Sequence, residues 1–313
     1  MRLDFINAAK TGRWKVAGAS LTGECEGVAF TGERLWWGGS WTVVGEAEFR
    51  VPEKVLLFIS EEGMEHGFWR DMSVGESAFD TDHFVFCDTP GLLRLIVGPT
   101  TRAAIARREK GQKPIKVYAR NGRLQTKGKN SADDDGAIAR HVAIHQAFAT
   151  DHAALVDKWQ SCLESASGRG GATWPLNGQI NSRVGTLLVG LTWEMKPETR
   201  DGAEWDSGYR SLRTEVSAFG DRHKAQWVLV EVDAGTHATH VIGPRRYRLR
   251  GTPNLPFERI ARLVEDSDLA ALSFGAKLTV SLRDLANERR LQAAVALIEQ
   301  LLSAEATSQS PYR

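Results

Sequence analysis

The sequence predicts an α+β protein of two tandem, diverged modules, each an antiparallel sheet with two helices packed on it. Three observations carry that expectation. A length of 313 residues exceeds the usual size of a single core. Strand-like runs open each half of the chain. Each half then closes on the same succession of strand, helix, strand and final helix.

The opening runs of the first half are WKVAGASL, GVAF, SWTVVGEAEF and KVLLFIS, and those of the second are GTLLVGLTWEM, YRSLRTEVSAF and AQWVLVEVD. Alternation is clearest in VLVEVD, where Val228, Val230 and Val232 share one face and Leu229 and Glu231 the other. FVFCDTP at 84–90 then finds an echo in YRLRGTP at 247–253. In both, Thr-Pro is the expected start of a helix. Thr89 and Thr252 are N-cap candidates, and Pro90 and Pro253 suit the first helical position, where a missing N–H costs nothing. Leu92, Leu93, Ile96 and Val97 follow at helical spacing in the first half; Phe257, Ile260, Ala261 and Val264 do so in the second. Gly98-Pro99 is a stop or kink signal for the first of these helices. The next strand is IKVYARNGRL at 115–124, set against AKLTVSLRDL at 276–285. AIARHVAIHQAFATDHAALVDKWQSCL and ERRLQAAVALIEQLLSA are the closing helices. A period of about 160 residues means paired domains and not a solenoid. The expected boundaries are a first module at 1–164, a Gly-rich linker SASGRGGATWPLNGQINS at 165–182, a second module at 183–303 and a flexible tail at 304–313.

Composition narrows the function classes. A net charge of +1 gives no general reason for a nucleic-acid or membrane partner. Cys25, Cys87 and Cys162 are an odd, scattered set, which argues against a disulfide framework and a zinc knuckle. No signal peptide or apolar span is evident, so a cytoplasmic setting is expected. P-loop, nucleophile-elbow and dinucleotide fingerprints are absent, and no cofactor is expected.

Several residues are candidates for chemistry or contact. Asp80 and Asp82, read as part of a strand, share a face and suit a hard cation. His141 and His145 stand i,i+4 on a helix, with His152 seven further on, along a stripe shared with Ile138, Phe148, Val156, Trp159 and Leu163. That spacing can put two imidazoles on one metal, or make a pH sensor. The second module has Leu291, Ala294, Val295, Ile298 and Leu301 on its matching stripe, so a packed core position is the stronger reading. Trp36, Trp37 and Trp41, three of the chain's ten tryptophans, crowd into RLWWGGSW and are candidates for an aromatic contact surface. From Arg102 to Lys129 ten basic residues face a single acidic one, Glu109, and this run includes Arg107, Arg108, Lys110 and Lys113. It suits phosphates, an acidic protein partner, or neutralisation by the acidic stretch between Glu46 and Asp88.

GESAFDTDHFVFCDTPGLLRLIVGPTTRAAI with IKVYARNGRL resembles a segment of uncharacterised proteins of myxobacteria and their relatives. The shared features are a Gly-x-x-x-Phe-Asp entrance (Gly75, Phe79, Asp80), a strand, a capped helix and a second strand ending at Asn121-Gly122. The resemblance spans roughly 70–160. It implies a fold module and no activity. Together these readings predict a non-enzymatic interaction or assembly protein, such as an adaptor, scaffold or immunity-type partner, acting on another protein or on itself. The alternatives are a metal-dependent enzyme or metal or pH sensor built on His141 and His145, and a phosphate or nucleic-acid binder through 102–129.

Overall fold

A computed structural model describes residues 14–17, 20–25, 28–37, 40–48, 55–61, 71–108, 113–130, 137–171, 176–195, 198–200, 203–205, 210–219, 227–232, 237–253, 256–265, 269–275 and 277–308. The structure is α+β with antiparallel sheets. It divides into two compact units, Met1–Leu155 with Met195–Arg210, and Val156–Glu194 with Ser211–Arg313. No helix among the described residues is long and apolar enough to cross a membrane.

The first unit opens with β1 (Trp14–Ala17), β2 (Ser20–Cys25), β3 (Val28–Trp37) and β4 (Ser40–Glu48). It continues with β5 (Leu57–Glu61), β6 (His83–Cys87), β7 (Ile115–Arg120) and β8 (Arg123–Asn130). The sheet order is β1-β2-β3-β4-β8-β7-β5-β6. The period of two sets the faces: on β7, Ile115, Val117 and Ala119 are buried while Lys116 and Tyr118 are half-buried. Asn121 and Gly122, at φ 53° and 72°, supply the two left-handed residues that a tight β7–β8 hairpin needs. The outer rim of β6 is blunted, because Val85 N–H donates to Asp71 Oδ1 at 2.8 Å and Val85 O accepts from Met72 N–H.

The helices of this unit are α1 (Ser77–Asp82), α2 (Pro90–Ile96), α3 (Pro99–Ala106) and the first part of α4 (Ala137–Ser165). Thr89 and Pro90 hold the cap and first positions of α2, as expected. The cap bond is different: the Thr89 hydroxyl donates to Asp88 Oδ1, and only the Thr89 carbonyl accepts from Leu92 and Leu93. The break at Gly98-Pro99 is a joint between two helices. The α3 amides of Thr100 and Thr101 donate to the Asp151 carboxylate of α4 at 3.3 and 2.8 Å. A Cβ on Gly98 would lie 2.4 Å from that carboxylate carbon, so only glycine lets this cap approach.

The second unit holds β9 (Gly168–Gly170), β10 (Asn177–Ser182), β11 (Gly185–Met195), β14 (Arg210–Phe219), β15 (Trp227–Glu231), β16 (His240–Ile242), β17 (Arg245–Gly251), β18 (Leu269–Phe274) and β19 (Lys277–Arg283). The chain between β11 and β14, which belongs to the first unit, forms a small hairpin that pairs β12 (Glu198–Arg200) with β13 (Ala203–Trp205). The main sheet runs β16-β17-β15-β18-β19-β14-β11-β10-β9. Its helices are the end of α4, α5 (Phe257–Glu265) and α6 (Glu288–Ser308).

Three expectations need correction here. The stretch 165–182 is no linker: it carries the end of α4 and strands β9 and β10. Its glycines serve close approach. A Cβ on Gly170 would lie 2.4 Å from Leu163 Cδ1, and one on Gly178 2.5 Å from the same atom. The tail at 304–313 is helical as far as Ser308, the end of α6. Thr252 and Pro253 cap no helix, because α5 begins only at Phe257 and it is the Pro256 carbonyl that accepts from Arg259 and Ile260.

Gly178→Ala should destabilise the fold by about 1–3 kcal/mol through overpacking, and the same substitution should cost less when made in a Leu163→Ala background. Chemical denaturation midpoints of the two variants check it; a neutral Gly178→Ala would remove the close-approach account.

Candidate functional site

The histidine stripe ends on a hydroxyl. Thr126 lies on β8, opposite Val117 of β7 and Gly45 of β4. Over this row passes α4. His141 Nδ1 lies 2.8 Å from Thr126 Oγ1, and His145 Nε2 lies 3.0 Å from the same oxygen. All three side chains are buried. A hydroxyl has one proton, so it donates to at most one ring and must accept from the other. Neutral imidazoles satisfy that arrangement. Burial, then the neighbouring His145 and Arg140 charges, depress the His141 pKa to about 3. A Cβ on Gly128 would meet His141 Nε2 at 3.1 Å, so glycine here makes room for the ring. His152 is half-buried farther along α4. Among the described residues no group of three or more His, Cys, Asp or Glu side chains gathers to hold a metal.

The Asp80–Asp82 segment is helical, which corrects the strand reading: both belong to α1 and share no strand face. Asp80 closes the loop before its own helix. Its carboxylate accepts from Ser73 Oγ at 2.6 Å and from the amides of Val74, Gly75 and Glu76 at 2.8, 3.1 and 3.1 Å. Burial raises its pKa, but these hydrogen bonds outweigh burial and hold the group below the usual carboxylate value. Gly75 sits at φ +90°, a conformation that favours glycine. Phe79 is buried. The Gly-x-x-x-Phe-Asp pattern is therefore a loop clamp with an apolar anchor.

Asp82 is exposed at the end of α1, and His83 opens β6. His83 Nδ1 lies 3.0 Å from the Phe79 carbonyl, and its ring stacks on Phe79 at 4.2 Å. A carbonyl only accepts, so Nδ1 carries the proton and Nε2 keeps a lone pair when the ring is neutral. Beside these residues lies a cavity of about 360 Å³, lined also by Glu61, Ile105, Arg108, Ile115 and Arg140. Arg108 Nη1 donates to Glu61 Oε1 at 2.8 Å, and Arg140 Nη1 donates to the Lys113 carbonyl at 2.9 Å. All of these groups belong to the first unit.

The basic run meets the acidic stretch where Arg108 pairs with Glu61 and where Arg102 pairs with Glu76. Arg107 and Lys113 are exposed; Lys110 falls outside the described residues. Trp36 and Trp41 are cross-strand partners on β3 and β4, but the side chains of Trp36, Trp37 and Trp41 lie outside what is described. The Cys87 thiol is fully buried, and burial pushes its pKa up to about 12, which suits an inert core thiol.

Thr126, Asp151, Glu61 and Arg140 escaped the sequence reading. Thr126 had a signal. Two histidines on one helical stripe need a polar partner, and Thr126 shares the buried phase of its strand with Leu124. Comparison with protein-family models, curated proteins and solved structures finds no match for this chain.

Asp80→Ala should raise the hydrogen-exchange rate of the Val74 amide about tenfold or more, since the loop loses its common acceptor. Unchanged exchange would remove the clamp. A second expectation concerns pH. The unfolded chain protonates His141 near the ordinary value of 6.5, whereas the buried ring resists protonation down to about 3. The neutral ring's contribution is therefore complete above pH 6.5 and is lost progressively as pH falls toward 3. Urea midpoints across that window should fall less steeply in His141→Leu, in which Thr126 still holds His145. Identical slopes would refute the assignment.

Proposed function

We propose that the chain is a non-enzymatic interaction or assembly protein built from two diverged copies of one module. The observation that carries the interaction reading is a partly exposed face of the second sheet. Val228, Val230, Thr279 and Arg248 are half-buried on the face opposite Leu229, Leu272 and Val280. At its end Phe219 is 68% exposed, with the Lys277 ammonium 5.8 Å from its ring centroid. A mixed apolar and basic sheet face suits an acidic protein partner. Two buried free thiols fit a reducing cytoplasm.

Support for two copies lies in strand register. In the first unit one row reads Cys87, Leu57, Ala119, Leu124, Ala47, and the next Val85, Ile59, Val117, Thr126, Gly45. In the second unit the rows read Gly251, Trp227, Phe274, Leu278, Ala218 and Leu249, Leu229, Leu272, Val280, Val216. Strands β6-β5-β7-β8-β4 and β17-β15-β18-β19-β14 thus keep one order. Helices enter at matching points, α2 and α3 against α5, and α4 against α6. This register sets IKVYAR against LAALSF, and AKLTVSL against β8. It also sets Cys87 against Gly251, so Thr89 corresponds to Pro253 and the Thr-Pro echo is one residue out of step.

The metal reading draws less support, because Asp80 clamps a loop and both histidines turn a ring nitrogen to Thr126. The phosphate reading also draws less, because Glu76 engages Arg102 and the cleft around Arg108 and Arg140 is lined by the carboxylates of Glu61 and Asp82 as well, which repel a phosphate.

A photo-crosslinker at Val228 or Phe219 should trap one discrete species in cells, and the same probe at Arg120 should not. Equal trapping at Arg120, or stoichiometric metal that disappears in His141→Ala, would overturn the proposal.

A further inference from the structure

The cleft of the first unit has a filled counterpart. Glu61 stands opposite His83 in the β5–β6 ladder, and Glu231 stands opposite Tyr247 in the β15–β17 ladder. Tyr247 is buried, and its hydroxyl donates to the Leu269 carbonyl at the start of β18, at 3.0 Å. The matching start of β7 is Pro114-Ile115, and both residues line the first unit's cleft. Where tyrosine reaches across that corner in one unit, the shorter His83 in the other is tied back to the Phe79 carbonyl and leaves about 360 Å³ open. Glu231 is likewise engaged, by Arg283.

The open corner offers both polarities. The junction of α1 and β6 contributes acceptors, the Asp82 carboxylate and His83 Nε2. Neither makes a hydrogen bond among the described residues. The segment after α3 contributes the guanidinium of Arg108, which Glu61 engages through Nη1, and the first turn of α4 that of Arg140, whose Nη1 is bonded to the Lys113 carbonyl; Ile105 and Ile115 add apolar surface. A guanidinium recognises a carboxylate through paired N–H donors. A carboxylate beside an imidazole lone pair recognises an ammonium. The volume is at the small end of ligand cavities. We propose that this cleft binds a small zwitterion of the α-amino-acid class, its carboxylate toward Arg108 and Arg140 and its ammonium toward Asp82 and His83. The inference rests on the two-copy reading only for why the corner is open; it is independent of the contact face on the second sheet.

Titration calorimetry on the full chain, with each common amino acid and with acetate and methylamine as singly charged probes, tests it. At least one amino acid should bind while acetate and methylamine do not. Asp82→Asn and Arg108→Gln, both at exposed positions, should each weaken that binding about tenfold or more. His83→Tyr, which copies the closed unit, should abolish binding without lowering the melting temperature. Absence of binding by every amino acid, equal binding of acetate, or variants that bind like the parent would each overturn the proposal. The crosslinking at Val228 and Phe219 reads a different unit, so the two proposals fail separately.

Discussion

A strand in a sheet covered on one side cannot slip by one residue without sending its apolar side chains to the wrong face. That constraint holds each unit of this protein together. In the first, Ile59, Val117 and Val85 must stay in one row beneath the helices; in the second, Leu229 and Leu272 must. Five neighbouring strands in each unit obey it with the same order. Rows can change side chains freely as long as volume and polarity balance within the row and its covering helix.

The histidine pair illustrates that balance. In the second unit Val216 pairs with Val280 across β14 and β19, and in the first Gly45 pairs with Thr126 across β4 and β8. Gly128 leaves space for the His141 ring, and Thr126 meets both imidazoles. In the second, valines fill the row and α6 presents Leu291, Ala294 and Ile298, all buried. A buried polar ring is costly unless hydrogen-bonded, so this arrangement needs Thr126 as well as Gly128. One hydroxyl then serves both rings, and burial holds His141 neutral. A charged ring here would add the cost of burying a charge beside a second imidazole, which is why acid rather than alkali is the condition to which this core is sensitive.

Local signals in the sequence exposed what is decided locally. Thr89-Pro90 marked the start of α2, Gly98-Pro99 marked its end, and the stripe of α4 placed His141, His145, Trp159 and Leu163 inward. Alternation in VLVEVD identified β15, with Leu229 on the buried face and Val228 and Val230 on the half-buried one. What the sequence hid depends on partners distant in the chain. A glycine that frees a linker and a glycine that lets Leu163 press on a strand have the same composition around them, and only the packed helix distinguishes Gly170 and Gly178 from a flexible run. Asp-x-Asp looked like a strand entrance because the loop it clamps, Ser73–Glu76, is short and its acceptor comes from within the next helix. The Thr-Pro echo was misleading for a physical reason: a helix start is set by local caps and can shift by a residue or more, whereas a strand register cannot.

That difference also locates where each unit is free to vary. The interior rows are fixed by what lies on both sides of them. The Glu61–His83 and Glu231–Tyr247 pairs stand at the ends of β5 and β15. A substitution there alters no register and buries no new face. It decides only whether the corner between a strand start and a helix end is bridged. Tyr247 is long enough to reach the Leu269 carbonyl and close it. An imidazole is shorter, and His83, stacked on Phe79 and bonded to its carbonyl, is held away from that corner. The same Phe79 is anchored by the helix that Asp80 helps to start. The clamp around Gly75 therefore does more than order a loop: it fixes the ring whose orientation leaves the cleft open and presents one bare nitrogen beside it.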